Sequence, residues 1–305
     1  MASAPQVAGF ESTTADVSGT RLHYWRGGDP TGAPVLLWHG FLATAYAWRK
    51  VMPALADAGC AVLAPDMRGY GDSDKPEGDD GYHGRALAEE FRALVAQIGF
   101  GDGRPLTLVA HDMGAPPALL WAADHPDEIA GLVYVEVPVM LEDILSKIIV
   151  YTPQAMANGS MWWWVLPLAP GVPERLIVGH ERAFLTWFYD RDRETHDATA
   201  DGLDEYLRTF SGREGVLGAL GVYRTAFTTI VQTTPLTRSR VSVPVVALGG
   251  TRGANGDNVR EMVQLVADDV RGGAIEGCGH FVPEERPDVI VDHVLKQVGA
   301  RPARG

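Results

Sequence analysis

Cysteine is nearly absent from this chain of 305 residues: Cys60 and Cys278 stand far apart and no CxxC pair occurs. A disulfide framework and a cysteine-ligated zinc site are therefore excluded, and a reducing cytoplasm fits. Positive charge is also scarce. With 26 Lys and Arg against 39 Asp and Glu the formal net charge is −13, and no cluster of basic residues offers a local exception. Nucleic acid and anionic membrane surfaces are thus not expected as partners. Long apolar runs are missing too. The first residues carry neither a basic segment nor an apolar stretch, and the most apolar part, 161–172, is broken by proline and too short to span a bilayer, so neither export nor membrane insertion is expected. There is no internal repeat or low-complexity tract, and only 301–305 reads as a disordered tail.

What is present is an ordinary globular composition, 46% hydrophobic and 21% charged, in a chain long enough for one large core with an insertion. Short apolar runs at 34–38, 61–65, 106–110, 131–137 and 245–248 read as buried strands. Amphipathic segments such as 84–98 and 113–123 read as helices. Strand and helix in alternation imply a parallel sheet covered on both faces, with ligands collecting beyond the carboxyl ends of the strands. From about 138 to 223 the alternation stops and aromatics accumulate, among them Trp162, Trp163, Trp164, Trp187, Phe188 and Tyr189. This is expected to be an inserted helical cap. A strand at 241–250 and a helix at 258–267 then restore the core, so the expected domains are a discontinuous core, 1–137 and 226–305, and a cap, 138–225.

The most informative residue is Asp112. It follows an apolar strand, precedes a helix and lies between the small residues Ala110 and Gly114, as a sharp strand-to-helix turn requires. The turn presents a side chain as a nucleophile, and here that side chain is a carboxylate, which the helix start would help to keep ionised. A carboxylate suits displacement at saturated carbon, as in an epoxide or a carbon–halogen bond, because it gives an alkyl ester that water can hydrolyse. Esters and peptides are poor candidates. At the end of an earlier strand, Gly40 permits close approach and the Phe41 amide, with that of Met113, would form an oxyanion hole for the attack of water on the ester. The neighbouring His39 is expected to brace this loop by hydrogen bonds rather than act as a base. His280, between small residues after the last strand, is the expected base for the hydrolytic water. Its acid partner would be Glu136, ending an apolar strand, or Asp257, in a Gly-rich loop; the rigid strand end favours Glu136.

With Asp112, His280, the 39–41 segment and the 66–76 stretch (DMRGYGDSDKP), the chain resembles the α/β-hydrolase superfamily over nearly its full length, specifically the epoxide hydrolase and dehalogenase branch. The resemblance implies an α/β-hydrolase fold, a mostly parallel central sheet flanked by helices with an inserted α-helical cap. It implies no cofactor and no metal, and a structural role for the 66–76 loop. In several members the acid follows the strand after the nucleophile, at the 24-residue spacing that separates Glu136 from Asp112. Segments 132–138 and 277–285 look like those of bacterial epoxide hydrolases that use a glutamate. Tyr223 matches the cap tyrosine that protonates the oxirane oxygen, and Trp162 or Trp163 falls where the family has a second tyrosine or a histidine. An indole N–H donates one hydrogen bond but does not readily release its proton, so the tryptophan would position the epoxide while Tyr223 supplies the acid.

The implied substrate is a small-molecule epoxide, with the aromatic cap suggesting a bulky, polycyclic or aryl one, and the implied assembly is a monomer or homodimer. A dehalogenase is the alternative. Haloalkane dehalogenases, however, typically carry tryptophan and fluoroacetate dehalogenases arginine where this chain has Met113, and a further arginine of the latter falls at Pro116. A ligand-binding protein on the same scaffold is the third reading. Such a protein can lose its nucleophile or base, whereas both Asp112 and His280 are present.

Overall fold

The computed structural model describes residues 5–149, 153, 162–190 and 201–299. Eight strands, β1 (Phe10–Val17), β2 (Thr20–Gly28), β3 (Pro34–Trp38), β4 (Ala61–Pro65), β5 (Leu106–His111), β6 (Ile129–Val135), β7 (Val245–Gly250) and β8 (Val270–Ile275), form one sheet in the order β1-β2-β4-β3-β5-β6-β7-β8. The pairs β1–β2 and β2–β4 are antiparallel; the remainder, from β4 through β8, are parallel. This is an α/β-hydrolase fold. Every residue of β3, β4 and β5 is buried, which is why they read as continuous apolar runs. Alternate side chains enter two apolar clusters. Leu36, Leu63, Leu108 and Leu132 join helices Gly84–Gln97 and Ala115–Asp124, while Val35, Val62, Val109 and Val133 join helices Met52–Asp57 and Pro287–Gly299.

Several boundaries differ from expectation. The strand expected at 131–137 runs two residues earlier and stops at Val135, because Glu136 turns into the left-handed region at φ 54°. The helix expected from Met113 begins at Ala115, after a 3₁₀ turn Asp112–Gly114. In place of a strand over 241–250, Val241 makes an isolated bridge to Ala267, Pro244 brings no N–H, and β7 starts at Val245. The following helix ends at Val263 for the same reason, since Ala267 is drawn into that bridge. Strands β1, β2 and β8 were not anticipated: β1 alternates with polar residues at a solvent-facing edge, and β8 is a half-exposed edge with two glycines.

Between β6 and β7 the described residues contain helices and no strands: Glu142–Ile148, Trp162–Val165, Val172–Ile177, Glu181–Tyr189, Leu203–Phe210, Gly212–Ala219, Gly221–Arg224 and Ala226–Thr233. Met161 and the 301–305 tail lie outside the described residues. The insertion is tied to the strand-bearing part by buried polar contacts. Tyr189 donates to the Leu42 carbonyl (3.0 Å), Tyr70 to that of Ala219 (2.6 Å), and Tyr206 to Glu284 (2.5 Å), whose other oxygen pairs with Arg49 (2.7 Å). No described helix is long and apolar enough to cross a membrane.

Candidate active site

The carboxyl ends of β3, β5, β6 and β7 and the loop after β8 converge beneath the helical insertion on a cavity of about 160 Å³. Asp112 closes β5 with φ 48°, a conformation that costs a non-glycine residue of order 1–3 kcal/mol and lifts the carboxylate out of the sheet. Close packing makes the turn possible. A Cβ on Gly40 would lie 2.6 Å from Asp112 Oδ1, and one on Gly114 would lie 2.7 Å from Trp38 Cδ1, so neither position admits a side chain. The Phe41 amide donates to Asp112 Oδ1 at 2.7 Å, and the Met113 amide also donates to this carboxylate. Burial pushes the Asp112 carboxyl above its ordinary range despite His280 and these two amides, so the helix start does not by itself secure ionisation.

His280 Nε2 lies 3.6 Å from Asp112 Oδ2, and its Nδ1 lies 3.9 Å from Glu136 Oε1, long for a direct hydrogen bond. Burial disfavours the imidazolium, but Glu136 and Asp112 outweigh it and hold His280 above its ordinary value. Glu136 is fully buried. Its amide donates to Leu248 (2.8 Å), its Oε2 accepts from the Gly250 amide (2.7 Å), and its Oε1 accepts from that of Asn255 (3.1 Å). The rival carboxylate is turned elsewhere: Asp257 Oδ1 accepts from the Ala274 amide of β8 at 2.9 Å.

Tyr223 is buried and lines the cavity with Phe41, Trp163, Trp164, Phe188 and Phe281. Burial, and then the charge of Asp112, raise its hydroxyl well above the ordinary range, while a hydrogen bond with Trp163, in which the indole N–H is the donor, acts the other way. Trp162, His39 and Met113 put no side chain into the cavity wall. The Trp162 ring is outside the cavity wall, packed on Trp187, Phe184 and Phe188, because neighbours on one short helix point to different sides. His39 is fully buried below the loop: Nδ1–H donates to Gly40 O (2.9 Å) and Nε2 accepts from the Met67 amide (3.0 Å), a bracing arrangement that keeps it from substrate. Met113 contributes its amide and not its side chain. Trp164 and Phe188 were missed as lining residues, since an aromatic-rich segment does not say which rings turn inward, and Asn255 because it lies in the irregular loop after β7. Pro116 is buried in helix Ala115–Asp124, and Arg252, on the loop after β7, is the single arginine among the described residues lining the cavity.

Residues 33–161 match the family described as alpha/beta hydrolase fold. The soluble epoxide hydrolase of Corynebacterium sp. (strain C12) is 31% identical over 92% of this chain and 95% of its own. A fluoroacetate dehalogenase of Burkholderia sp. is 29% identical over 92% and 91%. The solved structure of epoxide hydrolase CorEH without ligand superposes with a TM-score of 0.82 at 28% identity, covering 95% of this chain and 99% of that one. The fold and these matches thus define a hydrolase of this class, and the chain belongs to the α/β-hydrolase superfamily, within its epoxide hydrolase and dehalogenase branch.

Proposed function

We propose that this chain is an epoxide hydrolase that opens an oxirane to a vicinal diol through a covalent ester on Asp112. The observation that carries the reading is the convergence of Asp112, His280 and Tyr223 on one cavity, with Phe41 already bonded to the Asp112 oxygen that faces away from His280. Oδ2 attacks an oxirane carbon, the C–O bond breaks, and the Tyr223 hydroxyl passes its proton to the departing oxygen. Trp163 stabilises the phenolate through its N–H. Oδ1 becomes the ester carbonyl, already in the grip of the Phe41 amide. Neutral His280, oriented by Glu136, then removes a proton from water as its oxygen adds to the Asp112 carbonyl carbon. The Phe41 and Met113 amides hold the resulting oxyanion. Collapse expels the diol oxygen, which is protonated by the imidazolium, and the second proton of the added water passes from the Asp112 carboxyl to the Tyr223 phenolate, so that carboxylate and phenol both return. Alkylation neutralises Asp112 and so removes one of the charges that hold His280 above its ordinary value, which favours the neutral base in the second step.

The cap is assigned to 138–225 and supplies Tyr223, Trp163, Trp164 and Phe188. The cavity favours a compact epoxide over the polycyclic one suggested by the aromatic content: at about 160 Å³ it is comparable with engineered cavities of roughly 150 Å³ that hold benzene. A dehalogenase would share the covalent step. What favours the hydrolase is Tyr223, a proton donor that an alkoxide needs and a departing halide does not.

The reading is tested with the His280→Gln variant, exposed to single-ring, polycyclic and alkyl epoxides and to matched alkyl halides, followed by mass spectrometry of the Asp112 peptide. An adduct equal to the added epoxide, formed fastest with single-ring compounds, is the expected result. Labelling by halides alone would make the chain a dehalogenase, and no adduct at Asp112 would refute the covalent mechanism.

A further inference from the structure

The loop that carries His280 has no strand pairing of its own, yet it is held on both sides of the base. The Glu285 side chain turns back so that Oε2 accepts from the Gly279 amide at 2.6 Å and Oε1 accepts from the Phe281 amide at 2.9 Å. The Cys278 thiol lies 3.7 Å from the same Oε2. From beneath, His111, the last residue of β5 and the neighbour of Asp112, directs Nε2–H to the His280 carbonyl at 2.8 Å. The second lone pair of that carbonyl accepts from the Val282 amide at 2.9 Å. The His111 and His280 rings are 4.9 Å apart.

We propose that Glu285 and His111 form a clamp on the backbone at 279–281, acting as positioning residues for the water-activating half of the reaction. This rests on His280 being the base. The chemistry of the two side chains fits the task. Two neighbouring amides that both point inward need two acceptors on one rigid group, and a carboxylate supplies them where an amide side chain cannot. His111 must remain neutral, because a cation against His280 would drive off the proton that the base has to accept; burial and His280 both push His111 well below its ordinary value. Glu285 has the opposite influence, its negative charge favouring the imidazolium. The charged and titratable groups around His280 are then Asp112 and His111 from β5, Glu136 beyond β6, Arg252 after β7, Glu285 from the following helix, and Tyr223 across the cavity.

The test separates the two half-reactions. In Glu285→Gln, one amide loses its acceptor and meets an N–H instead. Ester formation on Asp112, read by rapid-quench mass spectrometry, is expected to remain within about two-fold of wild type. Ester hydrolysis is expected to slow by about ten- to a hundred-fold, the scale of a displaced catalytic group. The acid limb of hydrolysis should move to lower pH in Glu285→Gln and stay in place in Glu285→Asp, which keeps the charge but shortens the reach. His111→Leu should slow hydrolysis alone, and His111→Gln, which keeps an N–H donor, should recover part of it. Unchanged hydrolysis, or both steps slowed alike in a variant that retains the native melting temperature, would overturn the clamp. The His280 imidazole titration, followed by NMR in the free protein, provides a readout independent of substrate: Glu285→Gln should lower that pKa, and an unchanged value would likewise overturn the proposal. If wild type itself formed no ester, the covalent mechanism would fail while the NMR result still judged the clamp.

Discussion

Replacing Asp112 by Asn removes a negative charge whose Oδ2 lies 3.6 Å from His280 Nε2, and the imidazolium should then lose its proton at lower pH. At that distance and an effective dielectric of about 20, the attraction is on the order of 4 kcal/mol, which sets a ceiling of about three pH units. Two features lower the figure. The His280 side chain is 31% exposed to the cavity, so water screens the pair, and Glu136 still holds Nδ1 at 3.9 Å. A drop of about one to two units is expected, within the usual range for an opposite charge at this separation. The sign follows from His280 being held above its ordinary value in the native protein: the variant should carry a neutral imidazole over a pH window where the wild type is still cationic. The assay is an NMR titration of the imidazole Cε1–H, assigned by its loss in His280→Gln. A change of less than about half a unit, or an upward shift, would refute the electrostatic account and, with it, the argument that alkylation frees the base.

Tyr223→Phe should slow ester formation from epoxides by about 10²- to 10⁴-fold, the usual worth of a positioned general acid, and leave any labelling by alkyl halides unchanged. Quenched time courses would show this; equal loss for both compounds would mean that the hydroxyl shapes the cavity instead. Arg49→Met strands the Glu284 carboxylate, 3% exposed, without its cation, and should lower stability by about 3–5 kcal/mol in urea denaturation. Burial already raises Glu284, so the deficit should shrink as pH falls and the group protonates. A loss below about 1 kcal/mol at neutral pH would show that Tyr206 alone satisfies Glu284.

The resting pocket is built against the preference of a carboxylate for water. Asp112 and Glu136 are both buried and both in the left-handed region, and the amides of Phe41, Met113, Gly250 and Asn255 compensate for the lost solvent. The partners of these carboxylates are thus largely backbone amides, and Asn255 lies in the irregular loop after β7, where helical and strand periodicity carry no signal.

Local chemistry was enough to locate β3 and β4 to the residue, because both are wholly buried and leave an unbroken apolar signature. The turn at Asp112 was legible for a related reason: small residues at 110 and 114 mark a backbone that tolerates no bulk. Edge strands β1 and β8 escaped, since solvent or glycine replaces the apolar pattern there. The rigid strand end already favoured Glu136 over Asp257, but the direction in which each carboxylate points needed tertiary structure. Both follow neighbouring parallel strands, β6 and β7, and only the positive φ at 136 and the bond from Ala274 to Asp257 send one carboxylate toward His280 and the other away. The same holds for Trp162 and Trp163, adjacent on one helix, where rotation about the helix axis places only the second against Tyr223. Residue type and spacing determine which chemistry a segment can perform, whereas the direction of each side chain depends on contacts with residues distant in sequence, so the reactive partners are selected only when the sheet and the insertion close around them.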